Sequence, residues 1–216
     1  MNGSVVPANS VSSRPALWRG SMLIFLIAIG WAFAPRALMA QVAPPRAPTT
    51  APSPAAELTI FSEGTYPQPD VKRTTIYYCR PAIKNPTSGE VRKIWGGLVP
   101  WDKVWRLGAN QATLLISQST LQFGDVTIPA GTPVTLYMLP VESGVSKLII
   151  NKQIGQSGVD YDDKQDLGRV DLKKDELTQT VDRLILAMPM NKSGGGGTLQ
   201  IAWENIMFSV PFTVKK

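Results

Sequence analysis

The run Trp105-Arg106-Leu107-Gly108-Ala109-Asn110 concentrates the ligand-holding chemistry of this 216-residue sequence. Trp105 offers a large apolar face, and Arg106 a planar fork of donors suited to carboxylate or phosphate. Gly108 lets the backbone turn or approach a partner closely. Asn110 supplies both a donor and an acceptor. Gln111 follows directly, and Trp95 and Trp101 stand a few positions upstream. Together these residues suit a shallow patch for a sugar or an anion. The competing reading is structural: Trp and Arg form a buried corner, with Arg106 paired to a carboxylate such as Glu204. Buried charge is normally paired and Trp is normally mostly buried, so for this segment the corner is the first expectation. The observable that separates the two is whether Arg106 lies open beside a cleft.

Other candidates carry weaker chemistry. Pro81 ends a strand and fixes the chain direction. Arg80 before it either joins Arg106 in an anion pocket or, the commoner arrangement, caps a loop. Asp160-Tyr161-Asp162-Asp163 with Asp166 gathers oxygen ligands but lacks the glycine and glutamate spacing of a calcium-binding loop. A solvated loop is expected there, and no metal or cofactor is assigned. The glycines at 194–197 follow Lys192-Ser193, the reverse of the order in a phosphate loop, and read as a hairpin loop. In Gly155-Gln156-Ser157-Gly158 the second glycine comes one place too early for a nucleophile elbow. The sequence has no histidine, which removes the Ser-His-Asp triad, the Cys-His pair and His-rich zinc sites. A Ser-Lys dyad or a carboxylate pair remains available, but only if distant strands bring the residues together.

The elements that must position these groups read as strands. The stretch 71–80 is rich in β-branched and aromatic residues, and 112–117, 133–139, 145–151, 181–188 and 198–204 are short runs of the same kind. Gly, Pro, Asn or Asp bounds each of them. Leu199, Ile201 and Trp203 alternate with Gln200, Ala202 and Glu204, so one face is buried. Glu204-Asn205 is expected as a tight turn before a further strand over 206–214, and 128–132 as another turn. Helical periodicity is nearly absent, with single turns expected within 160–166 and 173–178. Closely spaced strands of this number predict an all-β fold: an antiparallel β-sandwich, with a closed β-barrel as the alternative. Cys79, the single cysteine, falls inside a strand and reads as a small buried hydrophobe without a disulfide partner.

The segment from Ile94 to Thr113, IWGGLVPWDKVWRLGANQAT, resembles the core signature of the bacterial DUF2911 family. Tyr78-Cys79-Arg80-Pro81, Pro129-Ala130-Gly131-Thr132 and Trp203-Glu204 resemble further motifs of that family, so the resemblance covers about 71–214. Cys79, Trp101, Leu107 and Gln111 stand where the family usually has Ser, Tyr, Thr and Glu. If that Glu is an acid or ligand in relatives, Gln111 does not serve that role. The family is one of unknown function, so the resemblance implies an exported β domain and no reaction.

The amino-terminal 40 residues contain no acid, and Arg14 and Arg19 precede an apolar run over 22–34. That run is short of the roughly 20 apolar residues a spanning helix needs. It reads as a secretory signal over 1–40, cut after Ala40, with an uncleaved membrane anchor through 22–34 as the alternative. The residue after the cut is Gln41, not the Cys of a lipoprotein. Residues 41–56 are rich in Pro, Ala and Thr and read as an extended tether, leaving one β domain over 57–216. Loss of Arg14, Arg19 and Arg36 lowers the formal net charge from +6 to +3. The remaining basic residues form no block, which argues against nucleic acid as a partner. Periplasmic or extracellular placement follows, with membrane contact only through an uncleaved leader. The sequence does not specify an oligomeric state.

Three functions are consistent with these residues. The first is a binding module of the cell envelope that holds a small polar ligand or glycan on Arg106, Asn110 and nearby aromatics. The second is a structural or interaction component of the envelope. The third is a histidine-free hydrolase working through two carboxylates across a cleft.

Overall fold

The computed structural model describes residues 54–61, 72–192 and 194–215. The expected signal segment, and all of the expected tether before residue 54, lie outside the described residues. Ten strands are described: β1 (Ala55–Phe61), β2 (Arg73–Cys79), β3 (Thr113–Ser117), β4 (Thr120–Phe123), β5 (Val126–Ile128), β6 (Val134–Leu139), β7 (Lys147–Asn151), β8 (Asp166–Asp171), β9 (Lys173–Ala187) and β10 (Gly196–Lys215). One sheet has the order β1-β2-β3-β6-β7-β8 and the other β5-β4-β10-β9, and every pairing is antiparallel. Each sheet keeps two edge strands, so the arrangement is a sandwich and not a closed barrel.

The alternation read from the sequence builds the core. Ile76, Leu115, Leu136 and Leu148 from the first sheet join Leu121, Leu199, Ile201, Trp203 and Phe208 from the second in one buried cluster. Burying such side chains contributes about 1.5–3 kcal/mol each. Four buried hydroxyl or amide residues inside the first sheet are paired: Thr74 with Ser117, Thr113 with the Leu107 carbonyl, and Asn151 with Asp166. The 128–132 turn forms as expected, and Gly131 adopts φ 76° while its N–H donates to the Ser117 carbonyl.

Two elements differ from the sequence reading. Glu204-Asn205 is not a turn: β10 runs through it as one strand of 20 residues. β9 spends more residues than β10 between the pairs Ala202–Ile185, Glu204–Val181 and Ile206–Glu176, so the strands stay paired around a bulge. Glu204 takes up the irregularity with φ 56°. Bulges re-aim side chains and occur beside functional sites. The stretch 173–178 is likewise strand, the first part of β9, and not a helical turn. It has no apolar stripe to bury as a helix, and as a strand its consecutive charges alternate between two faces, none of them buried. Between 160 and 166 the chain does form one 3-10 turn, Asp163–Gln165, capped by the Asp162 carboxylate.

The long segment between β2 and β3 carries most of the candidate residues. It is pinned to both sheets: Ala82 bridges Arg183 of β9, and Trp105 bridges Met138 of β6. That double attachment places its middle where the two sheets meet.

Candidate ligand-binding cleft

Trp105 is fixed at its backbone by reciprocal hydrogen bonds with Met138, 2.7 and 2.8 Å. Its indole Nε1 donates to the Gly108 carbonyl at 3.1 Å, closing a small loop. Inside that loop Leu107 is buried at φ 53°, and Asn110 follows at φ 58°. Asn tolerates this left-handed backbone; a bulky residue such as Leu adopts it only when its surroundings impose it. Leu107 is held by its buried side chain and by Thr113 Oγ1, which donates to its carbonyl at 2.9 Å. Gly108 lies against β2, where a Cβ would come within 3.1 Å of the Cys79 carbonyl.

The tryptophans form a stack. Trp105 lies over Trp203 with ring centroids 5.9 Å apart and planes 20° from parallel. Trp95 meets Trp105 edge-on at 5.9 Å and Phe208 at 5.1 Å, and its Nε1 donates to the Trp203 carbonyl at 3.2 Å. Trp101 stacks on Trp95 at 6.0 Å and lies beneath the Lys174 ammonium at 5.2 Å. Trp95 and Trp203 are core residues; Trp105 and Trp101 are half-buried.

Trp105 and Trp203 form part of the wall of a cleft of about 740 Å³, together with Arg106, Asn110, Gly158 and Tyr161. Lys84, Arg92 and Arg183 also line it, and among the described residues no Asp or Glu does. Arg106 is half-buried on this wall, and none of the three ion pairs among the described residues involves it. Its Nε is shut off from solvent without a hydrogen-bond partner, and so is Nε1 of Trp203. A buried donor left in this state costs about 1–3 kcal/mol. Arg106 therefore lies beside a cleft and has no paired carboxylate. Glu204, the carboxylate expected as its partner, takes part in none of the three ion pairs either.

The other candidates lie around this wall. Arg80 is behind it: its Nε donates to the Leu184 carbonyl at 3.0 Å and its backbone N–H to Pro54, which ties β2 to β9 and to the start of β1. Arg92 spends its guanidinium on the Ala82 and Ile83 carbonyls and keeps its charge. Gln111 is exposed and lines a different pocket of about 610 Å³ on the six-stranded sheet, with Tyr77, Cys79 and Gln156. Cys79 is buried there, and the Asn110 amide donates to its sulfur at 3.8 Å. Asp166 of the acidic loop is engaged by Tyr161 Oη at 2.7 Å, Arg169 Nε at 2.9 Å and Asn151 Nδ2 at 2.8 Å. Burial, reinforced by the hydrogen bond to Asp166, pushes the Tyr161 phenol up to about 12. Among the described residues no three His, Cys, Asp or Glu side chains converge as metal ligands.

Gly158, Tyr161 and Arg183 were not foreseen as parts of this wall. In the sequence Gly158 stands out only in the near-elbow Gly155-Gln156-Ser157-Gly158, and Tyr161 only within the acidic loop. Gly158 has φ 85°, and it fits where it does because it has no Cβ.

Fold and cleft together define an antiparallel β-sandwich with one cationic, tryptophan-walled depression. The chain belongs to the DUF2911 family, described as a protein of unknown function, whose family model matches residues 62–212. No curated protein and no solved structure gave a match.

Proposed function

We propose that the protein is an exported binding module that holds a small polar ligand or glycan in the Trp105–Arg106 cleft. The observation that carries this reading is Arg106: it is half-buried on the cleft wall, takes part in none of the ion pairs among the described residues, and its Nε has no hydrogen-bond partner. Unsatisfied buried groups are rare in native proteins and concentrate where something is bound or strained. Leu107, Asn110 and Glu204, three of the four non-glycine residues with positive φ among the described residues, adjoin the same wall. Arg106 is only half-buried, so a ligand oxygen can meet the open part of its guanidinium from the cleft. Among the described residues the cleft has no facing carboxylates of the kind a two-acid hydrolase requires.

A thermal-shift screen of the purified protein against oligosaccharides, carboxylates and phosphates tests this. A ligand at about 100 times its Kd adds about 2.7 kcal/mol of stability. A shift that is lost in folded Arg106→Ala and Trp105→Ala variants supports the reading. Silence across the panel, with Arg106→Ala merely melting early, makes Arg106 part of the scaffold and overturns it.

A further inference from the structure

We infer that the ligand of this cleft is an oxyanion, a carboxylate or phosphate, carried on a flat ring. The inference rests on the cleft being the binding site and specifies what it selects. Lys84, Arg92, Arg106 and Arg183 all line the depression, and none of the described residues that line it with them is acidic. The three ion pairs among the described residues all lie elsewhere: Lys147 with Asp171, Arg169 with Asp166, and Lys173 with Asp175. Asp166, which Tyr161 of the cleft wall engages, is also held by Arg169 and Asn151 and is not among the lining residues. Four like charges in a concave, partly apolar depression repel one another and focus a positive potential on whatever enters. An anion relieves that repulsion; a neutral ligand leaves it in place.

The remaining features specify the body of the ligand. Arg106 offers a planar fork, which matches the two oxygens of a carboxylate or phosphate better than a single carbonyl. Trp105 is braced from behind by Trp203 and remains half-exposed, so a ring can lie against a support that does not yield. Charge and platform are neighbours on one wall, so the anionic group and the ring belong to one molecule of modest size.

Isothermal titration of the whole protein with 4-nitrophenyl β-D-glucuronide, 4-nitrophenyl β-D-glucoside and 4-nitrophenyl phosphate tests this. The first two differ in charge at one carbon, and the third replaces the whole sugar acid by a phosphate on the nitrophenyl ring. At least one of the two anions is expected to bind about tenfold or more tightly than the glucoside, and more weakly as salt rises. The tighter of the two identifies the head group. Arg106→Gln is expected to erase the preference, and Arg106→Lys to restore part of it. Arg183 is exposed, so Arg183→Gln leaves the fold intact and is expected to lower anion affinity by about twofold or more. If the glucoside binds as well as the anions, the oxyanion inference is wrong while the cleft reading stands. If neither anion binds, the inference is overturned, and the broader screen decides the cleft reading separately.

Discussion

Gly158 lies directly on the side chain of Arg106. A Cβ built at Gly158 would come within 2.8 Å of Arg106 Cβ, 2.9 Å of its Cδ and 3.0 Å of the Ala112 backbone. The loop that crosses the arginine therefore sets where the guanidinium can point. Gly158→Ala combines this clash with a φ of 85°. It is expected to cost about 2–3 kcal/mol in urea unfolding and to weaken ligand binding at the cleft. Gly155→Ala is the matched control: its φ is 82°, but nothing lies within 4 Å of the added methyl. It should cost about 1 kcal/mol and leave binding unchanged.

Arg106 makes no ion pair, so its removal breaks none. Breaking a buried pair costs about 3–5 kcal/mol because a charge is stranded. Arg106→Ala is instead expected to change stability by less than about 1.5 kcal/mol, through lost packing of its stem. Chemical denaturation gives the number. A loss of 3 kcal/mol or more would restore the buried-corner reading.

The two indole nitrogens of Trp95 and Trp203 make a second contrast. Trp95 Nε1 donates to the Trp203 carbonyl, whereas Trp203 Nε1 donates to nothing. Trp95→Phe loses volume and a hydrogen bond, and is expected to cost about 1 kcal/mol more than Trp203→Phe, which loses volume alone. In ligand titrations the order should invert, with Trp203→Phe the more damaging, because Trp203 lies flat against the back of Trp105 whereas Trp95 meets it edge-on. Equal effects in both assays would remove Trp203 from the binding argument.

Tyr161 gives a pH signature. Its phenol is pushed up from 10.0 to about 12, first by burial and then by the hydrogen bond to Asp166. The folded protein holds this proton more tightly than the unfolded chain. The associated stability is therefore complete below pH 10 and is lost as pH rises through about 12. Unfolding midpoints measured across that window should fall more steeply for the wild type than for Tyr161→Phe. Parallel curves would contradict this account of the phenol.

Much of the scaffold is visible in the sequence because a half-buried strand writes its burial directly as alternation. Leu199, Ile201 and Trp203 do this, and all three are core. The bulge at Glu204 was misread because a turn and a bulge share one local sign, a break in the pattern. What separates them is the partner strand, and β9 supplies its extra residues far from Glu204 in sequence. Similarly, Trp105-Arg106 stands out as a run of unusual side chains, but its lack of a carboxylate partner is a fact about which strands face it. Arg183 and Gly158 join the wall through pairings whose two halves lie many positions apart. Residue types flag the centre of a site; its rim is set by topology.

The hydrogen bond from Trp95 to Trp203 spans 108 positions of sequence, as does the one from Leu186 to the Tyr78 hydroxyl. Contacts this remote form late, because a long loop must close before they return anything. No contiguous fragment of moderate length contains both sides of the cleft. Proteolytic pieces or partly collapsed chains thus have no counterpart of the depression, even where their hairpins are formed. Whatever occupies it distinguishes a finished molecule from an unfinished one, and its presence during refolding would draw the population toward completion without touching the early steps.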